Sequence, residues 1–258
     1  MLRQRIAPNP SPMTLDGTRT YLVGERRIAV IDPGPLLPSH LADLAGDAGP
    51  GVVHAILLTH MHPDHADGAE ALSRATGAPV LARAAGTLEP GQRIATDSGD
   101  LVAVAAPGHT PDHTAFHWPA GDALFCGDLM MGGLDTALVA APEGDLGDYL
   151  ASLERLRALR PRTIFPAHGA PFDDADAAIG RYVRHRHQRQ AQVLAAVDAG
   201  ADSLAGIVDR VYGAALDPAL RAAAEAAIAA YLEHLRTTGR LIEDASGRLR
   251  RSGAFEDG

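Results

Sequence analysis

One short tract constrains this 258-residue chain more than any other: Thr59-His60-Met61-His62-Pro63-Asp64-His65. It follows an apolar run over 53–59 that reads as a buried strand. Residues i and i+2 leaving a strand point the same way, so His60 and His62 can grip one ion. The chain then turns at Pro63, which lets Asp64 and His65 face a second ion. Imidazole nitrogens and carboxylate oxygens are the donors that catalytic zinc takes, at about 2.0–2.2 Å.

Composition narrows the chemistry. There are 12 His but only 1 Cys, and all 23 basic residues are Arg. A single Cys excludes an internal disulfide framework and a Cys-built zinc site. The absence of Lys excludes Schiff-base chemistry and a phosphate-loop lysine. At 46% hydrophobic and 21% charged residues, the chain has the composition of an ordinary globular protein. Its net charge of −9 is uneven. Residues 1–173 carry 20 acidic and 12 basic side chains, and residues 174–258 carry 12 and 11. Neither part is a basic nucleic-acid domain by bulk charge. No apolar run approaches the ~18 residues of a spanning helix. Residues 1–11 lack the apolar core of a secretory signal, so a cytoplasmic protein with no membrane partner is expected.

Strand-like runs fall at 20–24, 27–32, 53–59, 79–82, 101–105, 114–118, 123–126 and 163–166, bounded by Gly, Pro and Asp. Ser39 is the expected N-cap of a helix reaching Asp47. A second helix is expected over 68–76, closed by Gly77. A third runs over 148–160, with a stripe of Leu146, Tyr149, Leu150, Leu153, Leu156 and Leu159, and Pro161 ends it. Strands separated by single helices predict an α/β domain with covered sheets. From Ala175 the chain becomes Ala-rich and helical, over 175–199, 203–212 and 217–238. A hairpin of 240–243 and 248–250 follows, turning at 244–247. That order is the order of a winged helix. The reading is therefore a domain over 1–174 and a helical, winged-helix-like one over 175–258.

Further donors stand at later strand ends: His109 in Pro107-Gly108-His109-Thr110, Asp128 in Phe125-Cys126-Gly127-Asp128, and His168 in Pro166-Ala167-His168-Gly169. Each lies beside a Gly at the end of an apolar run, where α/β folds assemble sites. With these residues in order, the chain resembles the metallo-β-lactamase fold superfamily. The resemblance implies a four-layer αββα sandwich with two metal ions, zinc first, with iron or manganese as alternatives. It implies that His60, His62 and His109 hold one ion, that Asp64, His65 and His168 hold the other, and that Asp128 bridges them. Asp32, in Ile31-Asp32-Pro33-Gly34, matches a residue that supports the ligands. An Asp at 128 resembles the hydrolase branch rather than the Cys-ligated lactamases.

Within that branch the beta-lactamase-like protein 2 group is most similar, through the segment 9–18, Gly108-His109-Thr110-Pro111-Asp112-His113, and His185-Arg186-x-x-Arg189-Gln190. Arg19 departs from the Asn usual there. Two zinc ions ringed by five neutral His and two Asp would lower the pKa of a bound water to about 7. Asp64 would orient the hydroxide. His113 would contact a substrate oxygen or orient a ligand.

Other candidates read as structural: His117 on a strand face, Cys126 as a small strand residue, Asp112 behind the ligands, and His40, His54 and His234 as surface or helix residues. The arginines at 181–189 read as a solvated face. The leading function is a dinuclear zinc hydrolase of a small acyl substrate: a thioester, ester or lactone. The alternatives are a single-strand endoribonuclease using Arg248, Arg250, Arg251 and the 181–189 face, an iron-dependent persulfide oxygenase, and a non-enzymatic winged-helix DNA binder.

Overall fold

Alternate residues of the buried strands feed two different cores. The structure is a computed structural model that describes residues 1–49, 51–213, 216–244 and 248–252. In β3 (Arg27–Ile31), Ala29 and Ile31 face a core between two sheets, whereas Ile28 and Val30 face a core under helices. Period-2 alternation with both faces covered is what a four-layer sandwich requires.

The first sheet has the order β1 (Leu2–Ile6), β2 (Arg19–Val23), β3, β4 (Val52–Leu57), β5 (Val80–Leu81). Its first three strands are antiparallel, and β3, β4 and β5 run parallel. Helices α1 (Pro38–Ala48) and α3 (Ala69–Thr76) cover its outer face through Leu44 and Leu72, and the single turn α2 (Pro63–Ala66) lies between them in sequence. The β3–β4 register shifts between Ile28, paired to Val53, and Ala29, paired to Ala55. His54 is thus the extra residue of a bulge, half-buried on a strand.

The second sheet runs from β11 (Phe172–Asp173) through β10 (Thr163–Pro166), β9 (Ala123–Gly127), β8 (Thr114–Trp118) and β7 (Leu101–Ala105) to β6 (Arg93–Ile94). Only β9 and β10 are parallel neighbours there. The two sheets meet over Tyr21, Ile31, Leu57, Phe116 and Phe125, with Phe125 stacked on Phe165 at 5.2 Å. Burying each such side chain contributes roughly 1.5–3 kcal/mol.

The outer face of the second sheet carries α4 (Leu146–Ala158), α5 (Ala175–Asp198) and α7 (Arg221–Thr237). Asp145 caps α4 by accepting the Asp148 N–H at 2.8 Å. Between α5 and α7 lies α6 (Leu204–Tyr212). The chain then pairs β12 (Leu241–Glu243) with β13 (Leu249–Arg251). Three helices and a hairpin therefore follow in the expected order, and residues 245–247 of the expected turn lie outside the described residues. The apolar cluster of Leu124, Leu153 and Ile164 continues without a break into Tyr182, Ile228 and Tyr231, across the expected boundary at 174/175. No helix among the described residues is long and apolar enough to cross a membrane.

Three local expectations need correction. Ser39 is not an N-cap: the helix begins two residues earlier than that cap implies, with Pro38 in its first turn, and Leu37 caps it without a side-chain bond. His40 is a helix residue, as one of its two readings had it, but a buried one, with Nε2 3.3 Å from the Thr20 hydroxyl, and burial lowers its pKa. Arg186 does not lie on a solvated face but is 3% exposed.

Candidate metal centre

The presumed ligands leave the ends of four strands on one edge of the sandwich. His60, His62, Asp64 and His65 follow β4, His109 follows β7, Asp128 follows β9 and His168 follows β10. Local features aim them. Gly108 has φ +132°, and a Cβ there would sit 2.3 Å from the Tyr149 backbone, so α4 packs directly against the loop carrying His109. The β9–β10 register shifts so that Pro166 pairs with Gly127, which leaves Cys126 as the extra residue. That bulge turns Gly127 (φ +51°) and Asp128 toward the edge.

Hydrogen-bond directions then fix where the lone pairs point. The Thr59 hydroxyl donates its one proton to Asp32 Oδ2 at 2.8 Å, so it accepts from His60 Nδ1 at 3.0 Å. His109 Nδ1 donates to the Leu138 carbonyl at 2.8 Å, and His62 Nε2 donates to Glu143 at 3.1 Å. The opposite nitrogens are left bare, and these are the ones that converge. His62 Nδ1 lies 2.9 Å from His60 Nε2 and 3.1 Å from His109 Nε2. Three facing lone pairs repel one another unless a cation sits among them. Nitrogens around a tetrahedral zinc would be about 3.3 Å apart.

The second group follows the same logic. His65 Nδ1 donates to Asp32 Oδ2 at 3.0 Å, and His168 Nδ1 to the Gly17 carbonyl at 3.4 Å. Their Nε2 atoms both lie 3.3 Å from Asp128 Oδ1, and His168 Nε2 lies 3.3 Å from Asp64 Oδ2. The other Asp128 oxygen is 3.6 Å from His109 Nε2, so this one carboxylate faces both groups. His65 Nε2 and Asp128 Oδ1 are buried without a hydrogen-bond partner. These donor sets fit divalent metal ions.

Burial, with the nearby His65, holds the His60 imidazole well below its usual pKa, and burial also lowers His109. Burial alone would raise Asp128, but the charges of His65 and His168 hold it well below the usual carboxylate range. The same competition, won by the His168 hydrogen bond and the His65 charge, lowers Asp64. His60 and His109 are thus held neutral, and Asp64 and Asp128 anionic.

His113 is fully buried, and its Nε2 accepts the Asp128 N–H at 3.2 Å. It therefore touches the backbone of a presumed ligand and has no surface for a substrate. Asp32 supports both groups, through Thr59 and His65. The segment 9–18 supports the second: Asn9 holds Thr18, and the Thr18 hydroxyl donates to Asp64 at 3.4 Å. Arg19 is buried in a two-pronged pair with Asp16, at 2.7 and 2.8 Å. Cys126 is buried with burial raising its pKa, and His117 is half-buried on β8. Sequence reasoning passed over Thr59, Glu143 and the carbonyls of Gly17 and Leu138. Thr59 adjoins His60, which is a usable signal; the others have none.

The profile of the Metallo-beta-lactamase superfamily matches residues 13–95 and 85–168. A "Beta-lactamase-like protein 2 homolog" from Drosophila melanogaster is 34% identical over 72% of this chain and 70% of its own length. A "Lactamase-like protein nscB" from Aspergillus fumigatus is 36% identical over 72% of this chain, which spans only 58% of that protein. Among solved structures, the metallo-beta-lactamase family protein TTHA1429 from Thermus thermophilus covers 97% of this chain and 98% of its own, with a TM-score of 0.81 and 22% identity. TTHA1623, in a di-iron-bound form, is 30% identical over 68% of this chain and 95% of its own, with a TM-score of 0.51. This chain belongs to the metallo-beta-lactamase superfamily and is a metal-dependent hydrolase of that superfamily.

Proposed function

We propose that the chain is a dinuclear zinc hydrolase acting on a small acyl substrate: a thioester, ester or lactone. His60, His62 and His109 hold one ion, Asp64, His65 and His168 the other, and Asp128 bridges them. The convergence of three bare imidazole lone pairs at 2.9 and 3.1 Å carries the reading. Zinc bound there supplies Lewis acidity and lowers the pKa of water to about 7. The protein's own part is positioning. Thr18 and His168 fix Asp64, whose partly exposed carboxylate can accept a proton from an attacking water. His113 fixes the backbone of Asp128. Helices α5, α6 and α7 act as a unit that walls the site. The di-iron relative makes iron the alternative metal.

The endoribonuclease reading keeps fewer free arginines than its sequence offers. Arg186 is buried, Arg181 pairs with Asp135 at 2.8 Å, and Arg250 pairs with Asp244 at 2.6 Å. Arg248 and Arg251 lie 3.9 and 3.8 Å from Asp202 and Asp198. A panel of acyl thioesters, lactones and single-stranded RNA, run on wild type and Asp64→Ala with metal content measured, tests the reading. Cleavage of an acyl substrate by wild type alone supports it. Cleavage of RNA alone, or one iron per chain with oxygen uptake, overturns it.

A further inference from the structure

A cavity of about 260 Å³ lies between residues 131–139, which follow Asp128, and the C-terminal helices; no presumed ligand lines it. Its wall is mostly apolar, with Met13, Leu134, Leu138, Tyr212, Ala223 and Ala227 among the lining residues. Leu138 connects it to the metal centre, because the Leu138 carbonyl receives the His109 Nδ1 proton. Two of the apolar lining side chains are open to solvent: Met13 and Leu134 are each 43% exposed. Whole drug-sized ligands occupy about 300–1,000 Å³, so this cavity is sized for one arm of a substrate.

Two guanidiniums line this apolar space, and neither pairs with a carboxylate among the described residues. Arg186 donates to the Ala137 carbonyl and the Tyr231 hydroxyl and lies 4.6 Å from the centre of the Tyr149 ring. Its Nε is buried with no partner. Arg189 stacks 4.4 Å from the Tyr212 ring centre and makes only a long 3.5 Å contact with the Val211 carbonyl. A buried cation without a counter-ion, with one donor unused, is costly unless something supplies an acceptor.

We propose that this cavity is the subsite for the acyl arm, taking an apolar acyl group that carries an anionic or hydrogen-bond-accepting oxygen. The inference rests on the acyl-hydrolase reading and narrows it. The apolar body of the acyl group fills the space along Ala223 and Ala227, its oxygen meets Arg189 and Arg186, and the bond to be cleaved reaches back past Leu138 to the ligands.

The test is calorimetric binding of octanoate and of 1-octanol to the metal-loaded protein, with Ala223→Trp, Leu216→Trp and Arg189→Met. Ala223 and Leu216 are half-buried lining positions, and melting curves confirm that each variant folds. Octanoate is expected to bind wild type about tenfold more tightly than octanol, a difference of about 1.4 kcal/mol. Either tryptophan should weaken octanoate about tenfold or more, and Arg189→Met should erase the preference for the carboxylate. Octanoate held equally by both tryptophan variants would place its carboxylate on the metals and overturn the proposal. Equal binding of octanol and octanoate to wild type would overturn it as well. An acetyl thioester and a suberyl monothioester, whose far carboxylate supplies the oxygen, are assayed on the same preparations. If no thioester is cleaved while octanoate still binds in the cavity, the acyl-substrate reading fails and the subsite stands.

Discussion

His113 accepts the backbone N–H of Asp128 at 3.2 Å while lying with its ring stacked 5.1 Å from that of His60. It thus braces one presumed ligand and packs against another without being one. Removing such a support typically costs about 10–100-fold in metal affinity. His113→Ala should show that loss in a competition titration with a chromogenic chelator. His113→Gln, whose amide oxygen can still accept the Asp128 N–H, should recover part of it. Equal affinity in all three proteins would leave His113 with only a packing role.

Asp128 faces both groups of donors, so Asp128→Ala should lose metal loading and turnover together. Asp64 belongs to one group only. Asp64→Ala should retain the ion held by His60, His62 and His109, and lose about 10²–10⁴ in kcat. Metal analysis beside the acyl-thioester assay separates the two outcomes. Two bound ions in an active Asp128→Ala protein would refute the bridge. In wild type, a chelator should abolish activity and added zinc should restore it.

The metal-free protein has its own pH response. Burial alone would lower His168, but the Asp128 charge, with the Asp128 and Asp64 carboxylates each 3.3 Å from its Nε2, lifts it from 6.5 to about 9. His65 is raised too, burial being outweighed by Asp128 and Asp32. A histidine whose folded pKa lies above its unfolded value stabilises the fold fully below the unfolded value. That contribution is lost as the pH rises through the folded one. For His168 the window runs from 6.5 to about 9, and melting of the metal-free protein should fall across it. Metal must displace the same protons, so zinc affinity should rise over that window. Affinity independent of pH there would contradict the protonated His65 and His168.

Arg186→Ala removes a buried guanidinium from Ala137 and Tyr231 and leaves both without that donor. The cost should be roughly 3 kcal/mol, which for a chain of this size lowers the melting temperature by roughly 6–12 °C. Arg181→Ala, at an exposed pair with Asp135, should shift it by less than about 2 °C.

The later strand ends were legible because His109, Asp128 and His168 each sit beside a Gly after an apolar run; Gly108 and Gly127 need positive φ there. Helix α3 was legible through its Gly77 cap, which is left-handed at φ +75°. Strands β1, β6 and β11 were not. In β1 only Leu2 and Ile6 are apolar, and its Arg5 pairs with Asp47 across the edge instead. Two-residue strands such as β6 carry no period. Arg186 was misread with its neighbours because it lies about 140° around the helix from Arg181 at 3.6 residues per turn, on a different face. Glu143 reaches His62 across 81 residues of sequence, and the Leu138 support is a carbonyl that any residue would supply.

The Asp32 carboxylate touches neither group of converging nitrogens, yet through Thr59 it sets the His60 tautomer and directly it sets that of His65. The two halves of the centre thereby share one organiser. Whichever ion arrives first settles the protons around Asp32 and Asp128 for the other, so loading should be cooperative, with few chains caught holding a single ion.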